Sequence, residues 1–98
     1  MTANIITHAP GQLSLLGSIN FSNVDGLYRN ALLNLSNSEI VVDLSEIQQS
    51  DSAGLAFLVA WFKEAEKKNI KLSFVNPPEH LLALARESCV EQLFDSEM

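Results

Sequence analysis

Residues 40–69 run IVVDLSEIQQSDSAGLAFLVAWFKEAEKKN, and the pattern changes twice along them. Ile40-Val41-Val42-Asp43-Leu44 is a short run with β-branched residues at its centre, which suits an interior strand covered on both faces. Ser45–Ser50 sets polar residues around Ile47 and reads as a loop. Asp51–Asn69 is the longest predicted helix. Ser50, Asp51 and Ser52 are candidate caps at its start, and Lys63, Lys67 and Lys68 complement the negative end of the dipole near its close. Strand, loop and long helix in that order form one crossover unit, and the rest of the chain extends it.

Upstream, Pro10-Gly11 is a turn dipeptide, and Asn4–His8 and Gln12–Leu16 on either side read as a hairpin. A helix follows, with Ser22 as the predicted N-cap and Asp25 as the capping-box acid. Its apolar face is Val24, Leu27, Ala31, Leu32 and Leu35, and Ser36-Asn37-Ser38 ends it. Downstream, Lys71–Val75 reads as a strand and Asn76-Pro77-Pro78 breaks the chain. The helix Pro78–Ser88 follows, its apolar side formed by Leu81, Leu82, Leu84, Ala85 and Cys89. Val90, Leu93 and Phe94 make a last amphipathic turn. The order β-β-α-β-α-β-α-α predicts an α/β fold, with a mixed, mainly parallel sheet of about four strands and helices packed on it.

A chain of 98 residues is expected to form one domain, 1–98. Hydrophobic residues are 47% and charged residues 18%, a globular composition. The net charge of −6 argues against binding nucleic acid, which needs basic residues to neutralise phosphates. The longest apolar stretch, Ala53–Phe62, is too short to span a bilayer. Met1-Thr2-Ala3-Asn4 lacks the basic start of a secretory signal, so a cytoplasmic location is expected. One cysteine and two histidines give neither an internal disulfide nor a metal site. No P-loop, no Cys-x-x-Cys and no persuasive triad is present, so no catalytic residue, cofactor or metal is expected. His80 reads as a surface residue and Cys89 as a packed thiol. An interaction module is favoured over an enzyme.

The long helix has one anomalous face. At ~100° per residue, Lys63, Glu64, Lys67 and Lys68 mark the solvent side of its second half. Leu55, Leu58, Val59, Phe62 and Ala65 mark the core side. On the solvent side of the first half stand Ala53, Ala56, Phe57 and Ala60, apolar and mostly small. These four either are covered by another element of the same domain or, the reading favoured here, form a docking surface, with Phe57 as an exposed anchor and the alanines permitting close approach. Trp61 borders the core and this patch. Tyr28, off its own helix's apolar stripe, is a second candidate anchor. Ser50-Asp51-Ser52-Ala53-Gly54 places hydroxyls and a carboxylate at the helix start, where Ser52 is a candidate for phosphorylation.

The run Asp43-Leu44-Ser45 at a strand end, followed by Asp51-Ser52-Ala53-Gly54-Leu55 at a helix start, resembles the STAS domain family, the fold of bacterial anti-sigma factor antagonists. Gly17-Ser18-Ile19-Asn20 stands where the sigma-regulating members carry G-E-L-D. With Trp61 and Phe74-Val75-Asn76-Pro77, the chain is similar to the MlaB-type branch, the small cytoplasmic STAS subunits of phospholipid ABC transporters. That resemblance implies a non-catalytic subunit that binds the transporter's ATPase subunit and serves outer-membrane lipid asymmetry. It would be peripheral to the inner membrane through that partner. The partner-binding residues implied are Asp51, Ser52, Ala53, Ala56, Phe57, Ala60 and Tyr28. The alternative is an anti-sigma factor antagonist, with an anti-sigma factor kinase as partner, switched by phosphorylation of Ser52, the position of the phospho-acceptor in those members.

Overall fold

The computed structural model describes residues 3–35 and 37–94. The chain runs β1 (Ala3–Ala9), β2 (Gln12–Ile19), α1 (Val24–Leu33), β3 (Glu39–Asp43), β4 (Ile47–Ser50), α2 (Ser52–Lys67), β5 (Lys71–Val75) and α3 (Glu79–Glu87), and a 3-10 turn, η1, closes it at Glu91–Phe94. Of the predicted terminator Ser36-Asn37-Ser38, Ser36 lies outside the described residues, as do Met1 and Thr2 of the N-terminal stretch.

The sheet is mixed, in the order β1-β2-β3-β5, with β4 on β2. β1 and β2 form the predicted antiparallel hairpin, and Gly11 turns it at φ 77°, a backbone region that side chains disfavour. β3 runs parallel between β2 and β5. The stretch expected as a loop, Ser45–Ser50, contains a strand instead. β2 pairs with β3 only through Gln12–Ser14, and the backbone at Gly17–Ile19 needs partners further along the same side. Ile47–Ser50 supplies them in parallel, with Gly17 opposite Ile47 and Ile19 opposite Ser50. The result is five strands rather than about four.

Burial alternates along the strands. Ile40 and Val42 of β3 and Leu72 and Phe74 of β5 join one core cluster with residues of all three helices, so the helices pack on that face. The opposite face is only partly shielded: Val41, Asp43, Ser73 and Val75 are half-buried. β3 is interior within the sheet, as expected, but it is not covered equally on both faces.

The core side of α2 is rotated by roughly 50° from the expectation. Leu55, Phe57, Leu58, Trp61 and Ala65 are buried, whereas Val59 and Phe62 are half-buried. The cause is tertiary. α1 packs beside α2 and Tyr28 meets Phe57 edge-on, with ring centroids 6.4 Å apart. Phe57 stacks on Trp61 at 5.5 Å, and Trp61 meets Phe74 at 5.7 Å. Phe57 is therefore 4% exposed, not an exposed anchor, and Trp61 is wholly core. Cys89 also departs from its expected packing. It ends α3 in the left-handed region, φ 60°, so its thiol leaves the helix face and is exposed, while Val90 turns back against the core.

Candidate functional site

The start of α2 is built around Asp51. Its backbone N–H donates to Ile19 O at 3.3 Å, fixing the helix start to the end of β2. One carboxylate oxygen accepts from Gly54 N at 3.0 Å and caps the helix. The other accepts from Phe21 N at 3.3 Å and ties down the loop before α1. Gly54 answers a packing demand. A Cβ there would collide with Ser50 Oγ and lie 3.1 Å from Ile19 Cγ2, so glycine lets the first turn of α2 sit this close to β2 without displacing either side chain. Ser52, the first residue of α2, is exposed, and its hydroxyl makes no hydrogen bond among the described residues.

The loop before α1 is held by its own amides. Asn20 Oδ1 accepts from Ser22 N at 2.9 Å and from Ser22 Oγ at 2.6 Å. Asn23 Oδ1 accepts from Asn20 N at 3.0 Å, and Asn23 Nδ2 donates to Ser18 O at 2.8 Å. Asn23, not Ser22, is the N-cap residue, and it makes no side-chain cap bond because its amide is engaged behind it. This loop presents Phe21 at 84% exposure.

Phe21, Val24, Asp25 and Tyr28 on one side and Ala53, Ala56, Phe57 and Ala60 on the other line a shallow groove between α1 and α2. Five of the seven sequence-predicted site residues thus meet there: Tyr28, Ala53, Ala56, Phe57 and Ala60. Phe57 forms its buried floor rather than a projecting anchor. The projecting aromatic is Phe21, which the sequence reading missed; its one signal is an aromatic ring inside the polar run Asn20–Asn23. Ser52 lies on the far side of α2, in a second hollow with Leu55, Ala56, Val59, Ala60, Lys63, Ser88 and Val90. Ala56 and Ala60 line both hollows, so they form a low ridge between two apolar valleys. Asp51 borders a third, polar hollow with Asn20, Gln48, Gln49, Ser50 and the exposed His80.

Asp43 ties two loops beneath this region. It accepts from Ser45 N at 2.9 Å and from Asn76 Nδ2 at 3.4 Å. The backbone bond from Ser45 is the main reason its carboxyl is held below the usual 3.8, with smaller help from the Ser45 and Asn76 side chains and nearby His8, against an opposing effect of burial. Across the described residues, the surface around α2 offers shape and apolar area for a protein partner.

No curated protein matches the sequence. Among solved structures, the anti-sigma factor antagonist SpoIIAA in its unphosphorylated form superposes with a TM-score of 0.76 at 11% identity, covering 95% of this chain and 85% of that one. An anti-sigma factor antagonist from Mycobacterium paratuberculosis gives 0.68 at 20% identity, covering 95% and 81%. A structure of the Pseudomonas aeruginosa diguanylate cyclase SiaD in complex with its activator SiaC gives 0.57 at 17% identity, covering 88% and 81%. At these identities the likeness is one of fold. The family model described as "Mlab, STAS domain" matches residues 4–95, and the chain belongs to the STAS domain family.

Proposed function

We propose that this chain is a non-catalytic STAS subunit that binds and supports the ATPase of a phospholipid ABC transporter maintaining outer-membrane lipid asymmetry. It would sit in the cytoplasm, held at the inner membrane by that partner. The observation that carries the reading is the prebuilt apolar groove between α1 and α2, with Phe21 projecting at its wall and Phe57 as its floor, held between Tyr28 and the buried Trp61. Such a floor is ordered before binding, which lowers the entropic cost of association and suits a lasting contact. The description of the matching family model supports the MlaB-type assignment. Among the described residues no helix is long and apolar enough to cross a membrane, and in this reading attachment comes through the partner.

The test is Ala56→Asp. Ala56 is exposed on the ridge, so the domain keeps its circular dichroism and melting temperature. A carboxylate buried without a partner at the contact weakens binding to the ATPase by about 2–4 kcal/mol, roughly 30- to 1000-fold. Wild type that captures no ATPase overturns the reading, and an ATPase that co-purifies with the variant as well as with wild type removes the groove as its contact.

One observation favours a second reading, an anti-sigma factor antagonist. The Ser52 hydroxyl is exposed and unengaged among the described residues, and SpoIIAA, with which this chain shares its fold, has been solved in both unphosphorylated and phosphorylated forms. Phosphate on Ser52 in growing cells, varying with stress, together with capture of a serine kinase instead of an ATPase, would establish that reading in place of the first.

A further inference from the structure

The three strands with an open edge, β1, β4 and β5, are treated differently. β5 is short, begins at Lys71, which lies 4.0 Å from Glu39 on β3, and has η1 packed against it. β4 is backed by α2 and α3. These are usual ways to stop an edge from pairing with foreign strands. β1 is likewise backed on one face by α1, but it has few of the other devices. It is seven residues long, and Asn4, Ile6, Thr7, His8 and Ala9 are all exposed. No proline or charged residue interrupts it. Its single irregularity is a register shift between Thr7 and Ala9, which leaves Ala3–Thr7 in regular pairing with β2. Ile6 is 42% exposed on the sheet face away from the helices, the face it shares with its opposite number Ser14.

The distribution of charge bears on what pairs there. The chain carries −6, yet residues 1–24 contain no Asp, Glu, Lys or Arg. Two copies of so acidic a chain repel one another across most orientations, and β1 is the longest open strand edge that carries no charged residue. An antiparallel strand pair is also self-complementary about a two-fold axis. We infer that β1 pairs antiparallel with β1 of a second copy, centred on Ile6, and joins the two sheets into one. Ile6 then meets Ile6 of the other copy on the open face, and Asn4 stands opposite His8. This inference goes beyond the proposed ATPase contact, which uses the α1–α2 groove.

The test uses the purified full chain with no partner present. Sedimentation of wild type across a dilution series shows a monomer–dimer equilibrium. Ile6→Lys places two ammonium groups opposite one another and raises the dimer Kd by roughly tenfold or more. Gln48→Lys, an exposed site on β4 across β2 from β1, leaves the Kd unchanged. Both positions are exposed, and unchanged circular dichroism confirms folding. In a Cys89→Ser background, Ile6→Cys gives an intermolecular disulfide on mild oxidation, because opposed residues of antiparallel strands lie roughly 4.5–5.5 Å apart, within disulfide reach. A chain monomeric at every concentration overturns the inference. So does a dimer that tolerates Ile6→Lys, a dimer that fails to cross-link through Ile6→Cys, or an edge filled only when a different protein is added. An Ala56→Asp chain that dimerises but has lost the ATPase separates this contact from the groove.

Discussion

Replacing Phe57 decides between two views of α2, an exposed anchor or the floor of a groove. Phe57 is 4% exposed and lies between Tyr28 and Trp61, with centroids 6.4 and 5.5 Å away. Phe57→Ala removes a buried ring and leaves a void beneath the groove, at a cost of about 3–5 kcal/mol. A domain of this size holds roughly 5–15 kcal/mol in total, so the loss is a large share of its stability. The melting temperature falls on the order of 20 °C. Phe57→Leu, which keeps most of the volume, costs about 1–2 kcal/mol. The assay is built into the chain. Trp61 is the single tryptophan, fully buried and stacked on Phe57, so its fluorescence follows urea unfolding directly. Phe57→Ala should also shift the native emission, because the ring over the indole has gone. A Phe57→Ala variant within about 1 kcal/mol of wild type would refute the reasoning and restore Phe57 as a surface residue.

Asp51→Ala should cost about 1–2 kcal/mol and speed amide exchange at Gly54 and Phe21, while Asp51→Asn retains most of the stability; urea titration with hydrogen exchange checks both, and unchanged exchange at Phe21 would disprove the double role of the carboxylate. Asp43 has a folded-state pKa below 3.8, so its contribution is fully present above the ordinary carboxylate value and is lost as pH falls through the folded one. Asp43→Asn should therefore flatten the fall in stability below about pH 4, measured by urea midpoints across pH, and an acid slope unchanged from wild type would rule out that contribution.

How much of this was legible in the sequence depended on where each element's partners lie. β3 and β5 could be read because their own residues carry the pattern, with Ile40 and Val42, then Leu72 and Phe74, buried in the core. The cap at Asp51 was legible for the same reason, since its acceptor serves an N–H three residues on. β4 was not legible. Only Ile47 in Ser45–Ser50 is apolar, and the strand exists because β2 continues past β3 with backbone still to pair. The rotation of α2 was hidden too. Its wheel carries two adjoining apolar arcs, and the choice between them is made by α1, whose Tyr28 covers Phe57. Phe21 shows the same limit, because it is fixed by an acceptor on Asp51, far along the chain.

The Asp-Ser-x-Gly motif divides into parts that make the fold and a part left over. Asp51 caps α2 and holds the Phe21 loop, and Gly54 permits the approach to Ile19, so both serve the fold whatever the domain binds. Ser52 has no such duty among the described residues, so the fold leaves it free for a functional role. Its neighbour supplies a coupling. Were Ser52 to carry phosphate, the dianion would stand beside a carboxylate whose two oxygens already take the Gly54 and Phe21 N–H groups. Repulsion would act first on the longer, more exposed of these bonds, the 3.3 Å one to Phe21, and so on the wall of the groove across the helix. In a lasting subunit, the same bond simply holds Phe21 in place for the partner. One loop contact could therefore serve either use, and whether Ser52 carries phosphate would decide which.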